Sequence, residues 1–151
     1  MQLPSLRTDF TVPPYCDALG ALSNVNAWIG TGGTVSPLHF DTYDNFLAQV
    51  AGTKYVRLYS PSETPRLYTV EGEGDGEGEG DGDSDGRGRK GAQPNISPVN
   101  VERPDTARFP LFAGAAYTET YLRAGDALFI PKGTWHYVRA LTTSASVNFW
   151  F

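Results

Sequence analysis

Short runs rich in Val, Ile, Thr, Tyr, Phe and Trp recur along this chain, each closed by Gly, Pro or small polar residues. They fall at about 24–30, 34–41, 45–51, 54–60, 118–123, 127–131, 135–141 and 145–151, and the pattern predicts β-strands. Gly32-Gly33, Ala51-Gly52-Thr53 and Ala124-Gly125-Asp126 are the expected turns. Residues 12–22 and 105–116 are expected to hold short helical turns. Many short strands at this spacing predict an all-β protein with minor helix, a sandwich or barrel.

One stretch breaks the pattern. Residues 71–91 alternate Gly with Asp or Glu and carry no apolar side chain. Such a segment has nothing to bury against its ordering entropy, so a disordered acidic Gly-rich insertion is expected, lengthening a loop between two halves of the barrel. Asp81-Gly82-Asp83-Ser84-Asp85-Gly86 imitates the start of a calcium-binding EF-hand loop, but the twelfth position is Ala92 and no amphipathic helix flanks it. The calcium reading is rejected. Arg87-Gly88-Arg89-Lys90 is a short basic cluster, a weak hint of nuclear import.

The insertion also owns the charge. Its eight acids and three bases account for the whole net charge of −5, leaving nine acids and nine bases elsewhere. The rest is close to neutral, with no basic stripe for nucleic acid. A length of 151 residues suits one domain. The single cysteine, Cys16, excludes an intramolecular disulfide and suits a reducing compartment. Neither a secretory signal pattern nor an apolar run of membrane-spanning length is expected, which predicts an intracellular protein, nuclear or cytoplasmic. Asn95-Ile96-Ser97 matches a glycosylation sequon and is read as a chance match for that reason.

Candidate chemistry lies in the histidines. The chain has two, His39 in Ser36-Pro37-Leu38-His39-Phe40-Asp41 and His136 at the end of the Gly125–His136 run. Residues two apart on a strand share a face, so His39 and Asp41 point together. With His136 they make the ligand set of a two-His-one-carboxylate triad, which favours non-haem Fe(II) and leaves positions open. The plainer alternative is that each histidine is a hydrogen-bonded strand residue with no ligand.

Several ordered blocks resemble a known family. Asn26-Ala27-Trp28-Ile29-Gly30, Thr34 to Asp41, Asn45 to Lys54 and Gly125 to His136 are similar to the JmjC (jumonji C) domain, in particular its small hydroxylase-type members of the lysine demethylase 8 type, and next to the asparaginyl hydroxylase type. Lys54-Tyr55-Val56-Arg57-Leu58-Tyr59-Ser60-Pro61 and Trp135 to Leu141 favour the former. The resemblance spans about 10–70 and 95–151. It implies a double-stranded β-helix, a jelly-roll or cupin-type barrel, using Fe(II), 2-oxoglutarate and O2.

By that resemblance His39, Asp41 and His136 hold the iron, and Lys54 pairs with the far carboxylate of 2-oxoglutarate while Ser36 donates a hydroxyl to it. Asn45 and Asn148 orient the cosubstrate near the metal, and Trp28 and Trp150 wall the pocket. Trp135 is expected to be packing that fixes the ligand strand. The implied partner is a protein or peptide substrate, basic in character, with arginyl hydroxylation first and N-methyl-lysine demethylation next. The family has further sequence ahead of the region matching residue 10, including a tyrosine that contacts 2-oxoglutarate, so an N-terminally shortened barrel is expected. A metal- or peptide-binding module without turnover, and a metal-dependent cupin of another reaction type, are the competing classes.

Overall fold

The computed structural model describes residues 11–69 and 95–151. The acidic stretch 71–91, expected to be disordered, lies outside them. All eight expected strands form: β1 (Asn24–Gly30), β2 (Val35–His39), β3 (Asn45–Ala51), β4 (Thr53–Tyr59), β5 (Tyr117–Arg123), β6 (Ala127–Ile130), β7 (Trp135–Ala140) and β8 (Ser144–Trp150). They make two four-stranded antiparallel sheets, ordered β1-β8-β3-β6 and β2-β7-β4-β5. Consecutive strands therefore mostly lie in different sheets, the winding of a double-stranded β-helix.

The expected helical turns are short 3-10 helices at Pro14–Leu19 and Pro110–Gly114. A further turn, Pro61–Glu63, runs into a four-residue helix α1 (Thr64–Leu67), which strand periodicity does not predict. Ser60 accepts a hydrogen bond from the Ser62 N–H, and Pro61 opens the turn at a position that needs no donor.

The core has two parts. Leu47 and Ile130 of one sheet meet Val56, Leu122 and Val138 of the other inside the barrel. On the opposite face of β4 and β7, Tyr55, Tyr59, Trp135 and Tyr137 pack with Leu38, Leu67, Val99, Val101, Phe109 and Phe112. The 95–116 segment thus covers the outside of the β2-β7-β4-β5 sheet, and β7 is buried along almost its whole length. Trp135, only 1% exposed, donates its Nε1–H to Thr64 Oγ1 and meets the Phe40 ring edge-on, packing beside the strand that carries His39.

Gly52 makes the β3–β4 connection possible. Its φ of 73° lies in the left-handed region, and a Cβ there would run into the Thr143 carbonyl oxygen. β3 and β4 sit in different sheets, so this turn carries the chain from one sheet to the other and places Lys54 at the start of β4.

Candidate active site

β2 and β7 bring the two histidines together. Their pairing shifts register between Ser36 and His39, where Pro37 offers no N–H to the ladder, and resumes with His39 directly opposite His136. The rings lie 4.2 Å apart at 53°. Asp41, just beyond β2, presents one carboxylate oxygen to each: His39 Nε2 to Oδ1 at 3.9 Å and His136 Nε2 to Oδ2 at 3.6 Å. All three donor atoms fall within 4.8 Å of one another.

The donor chemistry fits a divalent metal. His39 Nδ1 lies 2.7 Å from the Pro37 carbonyl and His136 Nδ1 3.0 Å from the Thr134 carbonyl. A carbonyl oxygen only accepts, so each Nδ1 carries the proton and each Nε2 turns its lone pair towards Asp41. Separations of 3.6 and 3.9 Å are too long for hydrogen bonds. They match donors that each stand about 2 Å from one ion. Burial, with His39 beside it, pushes the His136 pKa down to about 4, so its imidazole is neutral at ordinary pH.

A cavity of about 70 Å³ gathers Trp28, Thr34, Ser36, Lys54 and Ser144 from β1, β4, β8 and the β2 region. Lys54 sits opposite Ala140 of β7, four residues along from His136. It is only 8% exposed, and among the described residues no carboxylate lies within ion-pairing distance. Burial lowers its pKa from 10.5. A buried ammonium without a counter-ion is costly, and a bound carboxylate would relieve that cost. Trp28 stands at this cavity, half exposed rather than a buried wall.

Asn45 and Asn148 are buried on the inward faces of β3 and β8. The Oδ1 of each and the Nε1 of Trp150 are buried with no hydrogen-bond partner among the described residues. Asn45 is directly opposite Trp150 across the β3–β8 pair, so these three orphaned groups share one side of the sheet. A wider cavity of about 360 Å³ adjoins Asp41 and is lined by Phe40, Thr42, Tyr43, Asn95 and Trp150. The Tyr43 ring stacks on Trp150 at 5.2 Å and 9°.

Every residue expected at the site therefore lies in one of these neighbouring groups. Sequence reasoning missed Thr34, Ser144, Tyr43 and Asn95. Ser144 had a signal: with Ser146 and Asn148 it makes an alternating polar stripe in an otherwise apolar strand.

A double-stranded β-helix with two histidines and an aspartate at one end of the β2–β7 pair defines a class, and comparison with known proteins assigns the family. Residues 1–151 match the family described as "Cupin-like domain". The chain is 46% identical over 154 residues to lysine-specific demethylase 8 of Danio rerio, a match covering 99% of this chain and 33% of that protein. It is 44% identical over 161 residues to JmjC domain-containing protein F of Dictyostelium discoideum, with the same coverages. To tRNA wybutosine-synthesizing protein 5 of Gallus gallus it is 34% identical over 150 residues, covering 99% of this chain and 40% of that one. The chain spans about a third of the length of these relatives. The X-ray structure of E. coli ycfD shares the fold, with a TM-score of 0.50 and 17% identity over 86% of this chain and 25% of that one. This chain belongs to the cupin-like JmjC domain family. Among the described residues no helix is long and apolar enough to cross a membrane.

Proposed function

We propose that residues 1–151 form one catalytic barrel of an Fe(II)- and 2-oxoglutarate-dependent oxygenase that hydroxylates a protein side chain. The observation that carries this is the pairing of two features inside one barrel. One is a convergent His39–Asp41–His136 donor set, and the other is a buried Lys54, without an ion-pair partner among the described residues, in a cavity that also holds the Ser36, Thr34 and Ser144 hydroxyls.

His39, Asp41 and His136 would hold the iron, each imidazole kept in the right tautomer by the Pro37 or Thr134 carbonyl. Bound iron and cosubstrate supply the oxidising chemistry, consuming O2 and releasing succinate and CO2. Lys54 and Ser36 would bind the far carboxylate of 2-oxoglutarate, with the buried Lys54 ammonium as its counter-ion. Asn45, Asn148 and Trp150 offer unused hydrogen-bonding groups to orient what lies between. Asp41 faces the wider cavity, where a substrate side chain would enter past Tyr43, Trp150 and Asn95.

For the substrate we favour an arginyl side chain of a basic protein segment. N-methyl-lysine demethylation is the second reading, favoured by the names of the relatives. The acid-rich residues 71–91 lie a few positions before Asn95 in the sequence, and their charge favours a basic partner. A nuclear or cytoplasmic protein partner fits this reading.

The test is to incubate the chain with Fe(II), 2-oxoglutarate, O2 and matched arginyl and N-methyl-lysyl peptides, then follow succinate and peptide mass. Gain of one oxygen atom on arginine is expected. Loss of a methyl group as formaldehyde would move the assignment to demethylation, and absence of any succinate would overturn the oxygenase reading.

A further inference from the structure

Among the named strands β2 pairs with β7 alone, and the strip of backbone that carries His39 and Asp41 would be open on its other side. It is closed by a segment distant in sequence. Residues 95–97 run antiparallel to 38–40: the Phe40 N–H donates to the Asn95 carbonyl at 3.0 Å, the Ser97 N–H donates to the Leu38 carbonyl at 2.9 Å, and His39 bridges Ile96.

The Asn95 side chain adds a bond that the ladder does not require. Its Nδ2 donates to the Phe40 carbonyl at 3.1 Å, so one residue holds both the N–H and the C=O of Phe40. Phe40 is the residue between His39 and Asp41. Its backbone torsions determine whether those two side chains converge or splay, because alternation puts them on one face only while Phe40 stays extended. The neighbouring carbonyl, that of Asp41, accepts from the Gly133 N–H at 2.8 Å. Ser97 faces away from this task, donating to the Leu67 carbonyl and accepting from the Val99 N–H, which fastens the segment to α1.

We infer that Asn95 is a positioning residue of the metal centre: its carboxamide locks Phe40 so that His39 Nε2 and the Asp41 carboxylate converge on one ion. The inference rests on the proposed metal-binding role of His39, Asp41 and His136. The sequon-like Asn-Ile-Ser thereby has a structural meaning, because its amide nitrogen is already committed to Phe40. Asn95 also lines the cavity beside Asp41, so nothing bulky could be attached to it without filling that cavity. Alanine at 95 would keep the backbone pairing and leave the Phe40 carbonyl without its side-chain donor.

The experiment measures the Kd of Co(II) alone by anaerobic calorimetry, together with the thermal midpoint, for the unsubstituted chain, Asn95→Ala and Ser97→Ala. Loss of a group that orients a ligand typically weakens metal binding by about tenfold or more. Asn95→Ala is expected to bind Co(II) about tenfold more weakly. Ser97→Ala is expected to lower the midpoint while keeping the affinity within about twofold. Asn95→Ala with the parent's affinity overturns the positioning role, as does an equal affinity loss in both variants, which would reduce it to general stability. If the unsubstituted chain binds no Co(II), the proposed metal centre itself falls, an outcome distinct from either of those.

Discussion

His39 and His136 face each other across β2 and β7, with ring centroids 4.2 Å apart, and both turn Nε2 towards the carboxylate of Asp41. Two imidazoles this close repel as cations, and the effect is written in His136, whose pKa is held down first by burial and then by His39. His136 is therefore held neutral, the state a metal requires.

A bound metal should stabilise the fold by mass action. At a free Mn(II) or Co(II) concentration one hundred times Kd, the gain is about 2.7 kcal/mol. Thermal unfolding should show a metal-dependent rise in midpoint for the unsubstituted chain and none for His136→Ala. An equal rise in both would place the metal elsewhere.

Lys54 gives a prediction of opposite signs. Lys54→Met removes a buried charge that has no ion-pair partner among the described residues, so the chain without cosubstrate should gain stability, on the order of 1 kcal/mol. The same variant should bind 2-oxoglutarate about tenfold more weakly or worse, having lost a charge-assisted bond. Denaturant unfolding and calorimetry separate the two effects. A loss of stability without loss of affinity would make Lys54 a structural residue.

Cosubstrate affinity should also depend on pH through Lys54. Burial lowers its pKa from 10.5, and a bound carboxylate would raise it again. Binding therefore takes up a proton on the alkaline side, and affinity falls as pH rises through the lowered pKa. Lys54→Met should lack this dependence when titrated across the same range below 10.5.

On the outer face of the β2-β7-β4-β5 sheet, burial and a hydrogen bond to Glu119 push the Tyr55 phenol up from 10.0 to about 12. Its neutral form is favoured in the fold, so the stability it contributes is complete below pH 10 and lost as pH rises through 12. Absorbance titration of the phenolates should show one fewer late-ionising group in Tyr55→Phe. An unchanged titration would refute the assignment.

Gly52→Ala should destabilise the fold by about 1–3 kcal/mol, since alanine at a φ of 73° is strained and its Cβ meets Thr143. The midpoint in urea should fall accordingly. A neutral effect would mean that the β3–β4 turn relaxes freely.

The strands were legible because their runs are short and closed by turn residues, as in Asn45–Ala51 between Asp44 and Gly52. β4 and β7 were legible as strands but not as two-faced ones. Tyr55 and Trp135 point to a second core whose other half, Val99 to Phe112, is supplied from beyond the acidic stretch. Helix α1 has only four residues, too few for a period to show, although Ser60-Pro61 and Glu63 mark its approach. The residues expected at the metal centre and the Lys54 pocket do gather, because spacing and family resemblance both act on single strands. Asn95 and Tyr43 escaped because what they do depends on partners far along the chain: Phe40 is 55 residues from Asn95, and Trp150 is supplied by the last strand.

The central claim is that one barrel holds Fe(II) on His39, Asp41 and His136 and 2-oxoglutarate on Lys54. It is tested most directly by anaerobic titration with Fe(II) and then 2-oxoglutarate, reading visible absorbance. The account predicts a saturable band that His39→Ala abolishes and Lys54→Ala weakens. Iron binding with no band on addition of 2-oxoglutarate would contradict it.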